Sequence, residues 1–520
     1  MKPAYKLFAI LLLCAMGCTS SGAIKTENGL VSGEAGTDPS VTVFKGIPFA
    51  APPVGDLRWQ APQPAEAWEG TLEATTFSDG CVQPLQRSRP PWTEEFMHQG
   101  NASEDCLYLN VWTTARAGDN HPVLVYIHGG GFNEGSGSVP VYDGEALAKK
   151  GLIVVTVNYR LGVLGYLAHP ELTAESSEAA SGNYGMLDQV AALEWVQRNI
   201  AAFGGDPDNV TVAGQSAGAM SVYLLTASPL ASGLFHRAIN QSGPGGLASF
   251  GLTSVRGMAP ALADAEATGM AFAEAKGAAS LADLRALSVE EISAPIENAP
   301  PLRFRPIIDG YFLTQDMADV YAAGEQNDVP MMSGFNADEG SASPGYGQMT
   351  LDAFQSMARA QYEDISVAFL TLYAAKTDDE AAKAQVASMR DVAAVAVQQL
   401  ATQRAQTANT PEYVYYFERG IPWPERPEFK AFHTGEVPYV FNNLRFLERP
   451  WEDIDHQIAD QVSSYWANFA RHGNPNGDGL PDWPAFGDAS GIMVLGEDMG
   501  AKPMPDDPSK QAFFESILVR

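Results

Sequence analysis

Residues 210–218 read Val-Thr-Val-Ala-Gly-Gln-Ser-Ala-Gly and run on into Ala-Met-Ser-Val-Tyr-Leu-Leu. A β-branched run, a Gly-x-Ser-x-Gly turn and a helix-like stretch predict a strand, a tight bend and a helix, with Ser216 at the bend. A serine presented this way is a candidate nucleophile. Gly214 and Gly218 suit the bend because strand and helix backbones approach too closely there for Cβ atoms. The five-residue pattern is common by chance in a chain with 49 glycines, so the flanks and the companion motifs must carry the reading.

A nucleophilic serine needs a base, the base needs an orienting acid, and the resulting oxyanion needs fixed donors. His128-Gly-Gly-Gly-Phe132 follows an apolar run and supplies the donors. Its glycines let two backbone N–H groups point together into a cavity, and the N–H of Ala217 adds a third. For the acid, residues 329–340 read as a strand entering a turn that offers Asp338 and Glu339. Spacing does not choose between these two carboxylates. Five histidines (His98, His121, His128, His169 and His236) precede the acid or lie close to Ser216 in sequence. The order nucleophile, acid, base leaves His433, His456 and His472. His456 lies in an acidic helical run and His472 before Gly-Asn-Pro in a turn, which makes both surface residues. His433 sits in a loop leading into apolar sequence, where an imidazole can reach a cleft.

The elements that must hold these groups follow from periodicity. Residues 29–58 alternate short β-branched runs with Gly and Pro, suggesting an N-terminal β-meander. Residues 107–112, 122–128 and 153–157 read as strands, the last two as buried ones. Leu187, Val190, Ala191, Trp195 and Ile200 recur at helical spacing, and Gly204-Gly-Asp-Pro ends that helix. Buried strands alternating with helices imply an α/β fold around a mainly parallel sheet. Residues 259–294, 353–373 and 378–407 read as helical insertions above that sheet, forming walls of the pocket, and 413–417 as a further strand. No internal repeat or linker divides the chain, so 24–520 reads as one catalytic domain.

The formal net charge of −30 makes nucleic acid and anionic surfaces poor partners and suits a solvated acidic exterior. Residues 1–23 read as an export segment: Lys2 and Lys6 precede an apolar run, Leu7–Leu13, too short to span a bilayer. Gly17-Cys18-Thr-Ser-Ser-Gly resembles a bacterial lipoprotein cleavage site, with Cys18 as the lipidated terminus, although Ala15 and Met16 depart from the usual residues. Ser21-Gly-Ala23 offers an ordinary signal-peptidase site instead. Either route places the protein outside the cytoplasm, in the periplasm, on an outer membrane or secreted, with a lipid anchor as the sole membrane contact. Cys81 and Cys106 then remain for the mature chain and read as one disulfide in an oxidising compartment. No CxxC, HExxH or clustered His/Cys spacing calls for a metal, and nothing calls for a cofactor.

The chain resembles the type-B carboxylesterase family of α/β-hydrolases over nearly all of its mature length. The similarity runs through Phe44-Lys-Gly-Ile-Pro-Phe-Ala, Glu104-Asp-Cys-Leu-Tyr-Leu-Asn, His128-Gly-Gly-Gly-Phe, Gly182-Asn-Tyr-Gly and Phe203-Gly-Gly-Asp-Pro. It continues in Gly214-Gln-Ser-Ala-Gly, Asn240-Gln-Ser-Gly, Asp338-Glu-Gly, Phe432-His and Gly473-Asn-Pro-Asn-Gly. The resemblance implies Ser216 as nucleophile, Glu339 as acid, His433 as base, and Gly130, Gly131 and Ala217 as oxyanion donors. It also implies that Cys81 pairs with Cys106 and that Ser242 supports the site from behind. Gln215 departs from it, standing where the family commonly has Glu. Without that buried negative charge, neutral small-molecule esters are favoured over choline esters, and what supports His433 and Ser242 is left open. A lipase or amidase would use the same apparatus. Non-catalytic binding ectodomains of this fold typically lack part of it.

Overall fold

Central strands buried on both faces build an eleven-stranded sheet that separates two hydrophobic layers. The computed structural model of the protein describes residues 22–243, 257–296, 302–487, 491–505 and 507–518. In chain order the strands are β1 (Glu34–Ala35), β2 (Thr42–Pro48), β3 (Tyr108–Thr113), β4 (His121–Ile127) and β5 (Ile153–Val157). They continue as β6 (Gly205–Gln215), β7 (Arg237–Gln241), β8 (Met331–Asn336), β9 (Glu412–Phe417), β10 (Ile492–Leu495) and β11 (Gly500–Lys502). Their spatial order is β11-β10-β9-β8-β7-β6-β4-β5-β3-β2-β1. From β5 across to β10 every neighbouring pair is parallel. Antiparallel pairs close both edges.

The period-two rule decides which layer each side chain joins. Val123, Val125 and Ile127 of β4 face one core with Val210 and Val212 of β6, while Leu124, Tyr126 and Ala213 face the other. Helix α1 (Tyr184–Asn199) covers the first face with Leu193, Trp195 and Val196, joined by Val222 and Leu225 of α2 (Ala217–Ala227). Helix α4 (Asp453–His472) covers the second with Ile458, Val462, Trp466 and Phe469. Burying side chains of this size contributes about 1.5–3 kcal/mol each. A sheet covered on both faces is rigid, and its strand ends are a fixed platform for loops.

Three sequence expectations change in detail. The N-terminal meander divides: β1 and β2 join the large sheet, while strands at 24–25, 30–32 and 71–73 form a separate three-stranded sheet. In α1 the buried stripe includes Met186, Gln189 and Leu193, whereas Leu187 and Ala191 are only partly buried, because the helix also packs under the segment around Arg160. The long helix α3 (Asp378–Ala405) packs on the outer part of the sheet, with Val397 and Ala401 against Val414 and Tyr416 of β9. Residues 1–21 of the 1–23 leader, with Cys18, lie outside the described residues.

Candidate active site

Ser216 stands between the end of β6 and the start of α2 with φ 57° and ψ −121°. This is a positive-φ conformation that non-glycine residues avoid, and it persists only where the surroundings enforce it. A Cβ on Gly218 would lie 2.0 Å from the Ile127 carbonyl, and one on Gly214 2.5 Å from Gly218 itself. Strand β4 therefore runs against the bend, which explains both glycines. The Ser216 N–H donates to the Gln241 carbonyl at 2.9 Å and ties the bend to β7. Ala217 opens an eleven-residue helix, so its N–H belongs to the unpaired, electropositive first turn.

The glycine loop leaves the C-terminal end of β4 directly beside this bend. A Cβ on Gly129 would come within 3.1 Å of the Ser216 Cβ. Gly130 and Gly131 follow with φ 109° and 62°, and both line the same cavity as Ser216. Beneath the loop, His128 stacks on Tyr159 with ring centroids 4.4 Å apart, and the Tyr159 hydroxyl donates to the His128 carbonyl at 2.9 Å. Burial pushes the His128 imidazole down to about 4, despite a hydrogen bond to Gly129, so it is neutral at pH 7. It acts as packing under the loop.

Between the two carboxylates that spacing left open, the geometry is unequal. Glu339 Oε2 lies 2.5 Å from His433 Nδ1, and its Oε1 accepts from the Asn336 N–H at 2.8 Å. Asp338 points elsewhere: it accepts from the Tyr346 hydroxyl at 3.1 Å and faces Lys430 at 3.8 Å. A bridge between Asp338 and Phe432 sets the turn after β8 alongside the loop that carries His433. The Asp338 N–H donates to the Ala431 carbonyl at 3.1 Å, locking the two loops in register. His456 and His472, both on α4, are exposed. Of the histidines that follow the acid in sequence, His433 is thus the one brought to a carboxylate beside Ser216.

Two buried groups next to His433 define the local electrostatics. Gln215, 2% exposed, places its Nε2 3.3 Å from His433 Nε2. Glu436, fully buried, accepts from Asn336 Nδ2 at 2.5 Å and from Gln241 Nε2 at 3.2 Å. Burial, aided by the charge of Glu339, pushes the Glu436 carboxyl up to about 7. Burial pulls the His433 imidazole down, yet the charge and hydrogen bond of Glu339, with Glu436 behind it, outweigh that and raise it above 6.5. Sequence reasoning missed Glu436. Its signal was a lone acid three residues after His433, entering the apolar run Val-Pro-Tyr-Val-Phe. Ser242 is buried at φ 52° behind the bend, and among the described residues its hydroxyl has no hydrogen-bond partner.

Ser216 and His433 open onto a cavity of about 260 Å³. Cys81 and Cys106 are joined, and the loop they close supplies much of the cavity wall, including Gln83, Arg89, Trp92, Phe96 and His98. Among the described residues, none of the lining comes from the helical insertions at 259–294, 353–373 or 378–407, contrary to the sequence expectation. Those helices pack elsewhere instead: the first against Trp59, Leu164 and Leu167, and α3 partly against the 353–373 helices and partly against β9. Trp92 also donates to the His433 carbonyl at 3.2 Å and to Thr434 Oγ1 at 3.0 Å, so the closed loop braces the segment that carries the imidazole.

Comparison with known proteins identifies the family. The sequence model of the carboxylesterase family matches residues 20–511. The chain is 39% identical over 489 residues to the fumonisin B1 esterase of Sphingopyxis macrogoltabida, covering 92% of this chain and 86% of that protein. It is 36% identical over 520 residues to the para-nitrobenzyl esterase of Bacillus subtilis, covering 95% and 98%. It is 35% identical over 512 residues to the cocaine esterase of Homo sapiens, covering 92% and 88%. A serine held in a positive-φ bend under a glycine loop, together with similarity along nearly the whole chain, leads to one conclusion: the protein belongs to the carboxylesterase family, α/β-hydrolases that act as serine hydrolases on carboxylic esters.

Proposed function

We propose that the protein is an exported carboxylesterase that hydrolyses small neutral esters through an acyl-enzyme on Ser216. His433 takes the Ser216 proton as the hydroxyl attacks the ester carbonyl, and Glu339 holds the imidazole and stabilises its positive charge. The carbonyl oxygen, now anionic, rests among the N–H groups of Gly130, Gly131 and Ala217. His433 then protonates the leaving alcohol, activates water against the acyl-enzyme, and returns the proton to Ser216. The observation that carries this reading is the convergence on one cavity of the strained Ser216 and the His433–Glu339 pair. A fluorophosphonate should label the wild-type protein once, on the peptide containing Ser216. Labelling mapped to any other residue would overturn the assignment.

The base must be neutral to act, so kcat/KM should rise with pH and fall as the medium becomes acidic through the His433 pKa. Because His433 is raised above 6.5, the midpoint of that limb is expected above the ordinary imidazole value. Glu436→Gln removes a carboxyl that is negative mainly above about pH 7 and should move the midpoint down modestly. A pH–rate profile of both proteins checks this, and a midpoint below 6 in the wild type would contradict it.

Gln215 argues for neutral substrates. An amide beside the nucleophile supplies hydrogen bonds without the charge that would hold a quaternary ammonium. Short- and medium-chain neutral esters should therefore show higher kcat/KM than choline esters of the same acyl group. The excess of acidic residues does not reverse this, since exposed charges are screened within about 8 Å at physiological salt. A choline preference that survives such salt would contradict the reading and point to an aromatic cation site. The relatives are named for fumonisin B1, para-nitrobenzyl and cocaine esters, which supports an ester pocket without fixing the acyl or alcohol group.

Export rests on the leader at 1–23, and lipidation of Cys18 on the cysteine that follows Gly17. If Cys18 carries lipid, esterase activity should sediment with membranes and be released by Cys18→Ala. A mature N-terminus at Ile24 would assign the ordinary signal-peptidase route instead.

A further inference from the structure

The glycine loop poses a physical problem that its own sequence does not solve. Gly129, Gly130 and Gly131 let the backbone reach the shape required, but glycine is also the residue that loses most conformational freedom when held there. Oxyanion donors are effective only when fixed before the reaction, because a donor that must reorient spends its stabilisation on that step. Something outside the loop must hold it.

The loop closes on itself first. The N–H groups of Asn133 and Glu134 both donate to the Gly130 carbonyl, at 3.0 and 3.1 Å. The backbone then returns through Gly135, at φ +117°, onto the start of the loop. A Cβ on Gly135 would lie 2.3 Å from His128 Nδ1 and 2.6 Å from the Gly129 carbonyl. Gly135 thus presses directly on the two residues from which the donor glycines spring. Gln83 clamps it: Gln83 Nε2 donates to the Gly135 carbonyl at 2.8 Å, and the Gly135 N–H donates to Gln83 Oε1 at 2.8 Å. One amide side chain satisfies both backbone groups of one residue, which fixes position and orientation together.

Gln83 is itself anchored. Its Nε2 also donates to the Cys81 carbonyl at 3.0 Å, and Cys81 is joined to Cys106. A second link between the same two loops, Arg89 to Glu134 at 2.6 Å, is half-exposed on the arginine side and screened by solvent, so it holds less firmly.

We propose that Gln83 is a positioning residue for ester hydrolysis, clamping Gly135 so that the Gly129–Gly131 backbone is fixed as an oxyanion site, with the Cys81–Cys106 bridge as its anchor. This rests on the reading of Ser216 and the glycine loop given above. A positioning role differs from a merely structural one in where the loss falls. An unclamped loop still admits the ester but stabilises its tetrahedral adduct less, so kcat falls and KM does not.

The test compares wild type, Gln83→Leu and Gln83→Glu on a short-chain p-nitrophenyl ester. Their affinities for a trifluoromethyl ketone, which adds to the serine and forms an oxyanion, and for the corresponding secondary alcohol, which cannot, are measured alongside. Gln83→Leu should lower kcat by about tenfold or more, less than outright loss of a donor, while KM stays within about twofold. Its trifluoromethyl ketone affinity should fall by a similar factor and its alcohol affinity should not change. Gln83→Glu can still accept from the Gly135 N–H but turns an acceptor toward the Gly135 carbonyl, so it should lose kcat in the same way. Should Gln83→Leu fail to fold, the near-isosteric Gln83→Glu carries the same comparison. Unchanged kcat in a folded variant, or equal losses for ketone and alcohol, would overturn the proposal. A wild-type protein that neither turns over the ester nor binds the ketone would instead overturn the functional reading on which it rests.

Discussion

Ser216→Ala is expected to lower kcat by several orders of magnitude, on the order of 10⁶ where nucleophile and base act as a unit. Labelling by a fluorophosphonate should vanish with it. The reason is local and chemical: the bend that carries Ser216 presents one hydroxyl to the cavity, and alanine offers no atom that can form the acyl bond. Folding should be little affected, because Ser216 is only partly buried and its backbone strain is enforced by Gly214, Gly218 and β4 rather than by its side chain. Residual turnover above the uncatalysed rate is expected from the glycine loop and from binding alone. Steady-state kinetics with circular dichroism checks both statements. Full ester turnover in Ser216→Ala would place the nucleophile elsewhere.

Glu339→Gln should be the next most damaging single change outside Ser216 and His433, costing kcat about 10⁴-fold, as an amide leaves the imidazole in the wrong tautomer without a counter-charge. In this protein Glu339 receives the Asn336 N–H on one oxygen and faces His433 Nδ1 with the other. An amide in its place would turn a donor toward one of those two N–H groups. Asp338→Asn is the matched control. It sits one residue away and is also buried, yet its partners are Tyr346, Ala431 and Lys430, so its cost should be a modest loss of stability with kcat near wild type. A reversed ranking of the two variants would reassign the acid. The pH profile adds an independent sign: without the Glu339 charge, burial dominates and the His433 midpoint should shift down.

What could be read directly from sequence was what neighbouring residues impose on one another. Gly214, Ser216 and Gly218 announce a bend because strand and helix backbones approach closely there; the Gly214 collision is with Gly218 itself, whereas the Gly218 collision is with the Ile127 carbonyl of β4 and appears only in the fold. The nearly continuous apolar runs of β4 and β5 likewise announce strands covered on both faces, since period two sends successive side chains to opposite layers. The order of Ser216, an acid and a histidine narrowed the base to three histidines and the acid to two carboxylates, and resemblance to a family chose among them. The N-terminal meander was less secure, because short β-branched runs specify strands without specifying which sheet they join.

The meeting of these groups was decided only in three dimensions. Glu339 and His433 lie 94 positions apart, and Gln215 and His433 lie 218 apart; no local pattern carries such separations. The Asp338–Phe432 bridge sets the register of two loops and thereby turns Glu339, rather than Asp338, toward the imidazole. Glu436, with only a faint local signal, and Gln83, with none, were passed over in sequence for the same reason. A buried glutamate and a loop glutamine look like surface residues until packing places them against His433 and Gly135. The cavity walls were assigned to helical insertions because helices are conspicuous, whereas the described lining comes largely from the loop closed by Cys81 and Cys106. Sequence by itself determined the chemistry available to this protein, since residue types and short-range sterics are written in adjacent positions. Tertiary structure decided which carboxylate is set against His433, what contacts the glycine loop and what encloses the site, because those depend on contacts whose partners the chain brings together only once the two-faced sheet has formed.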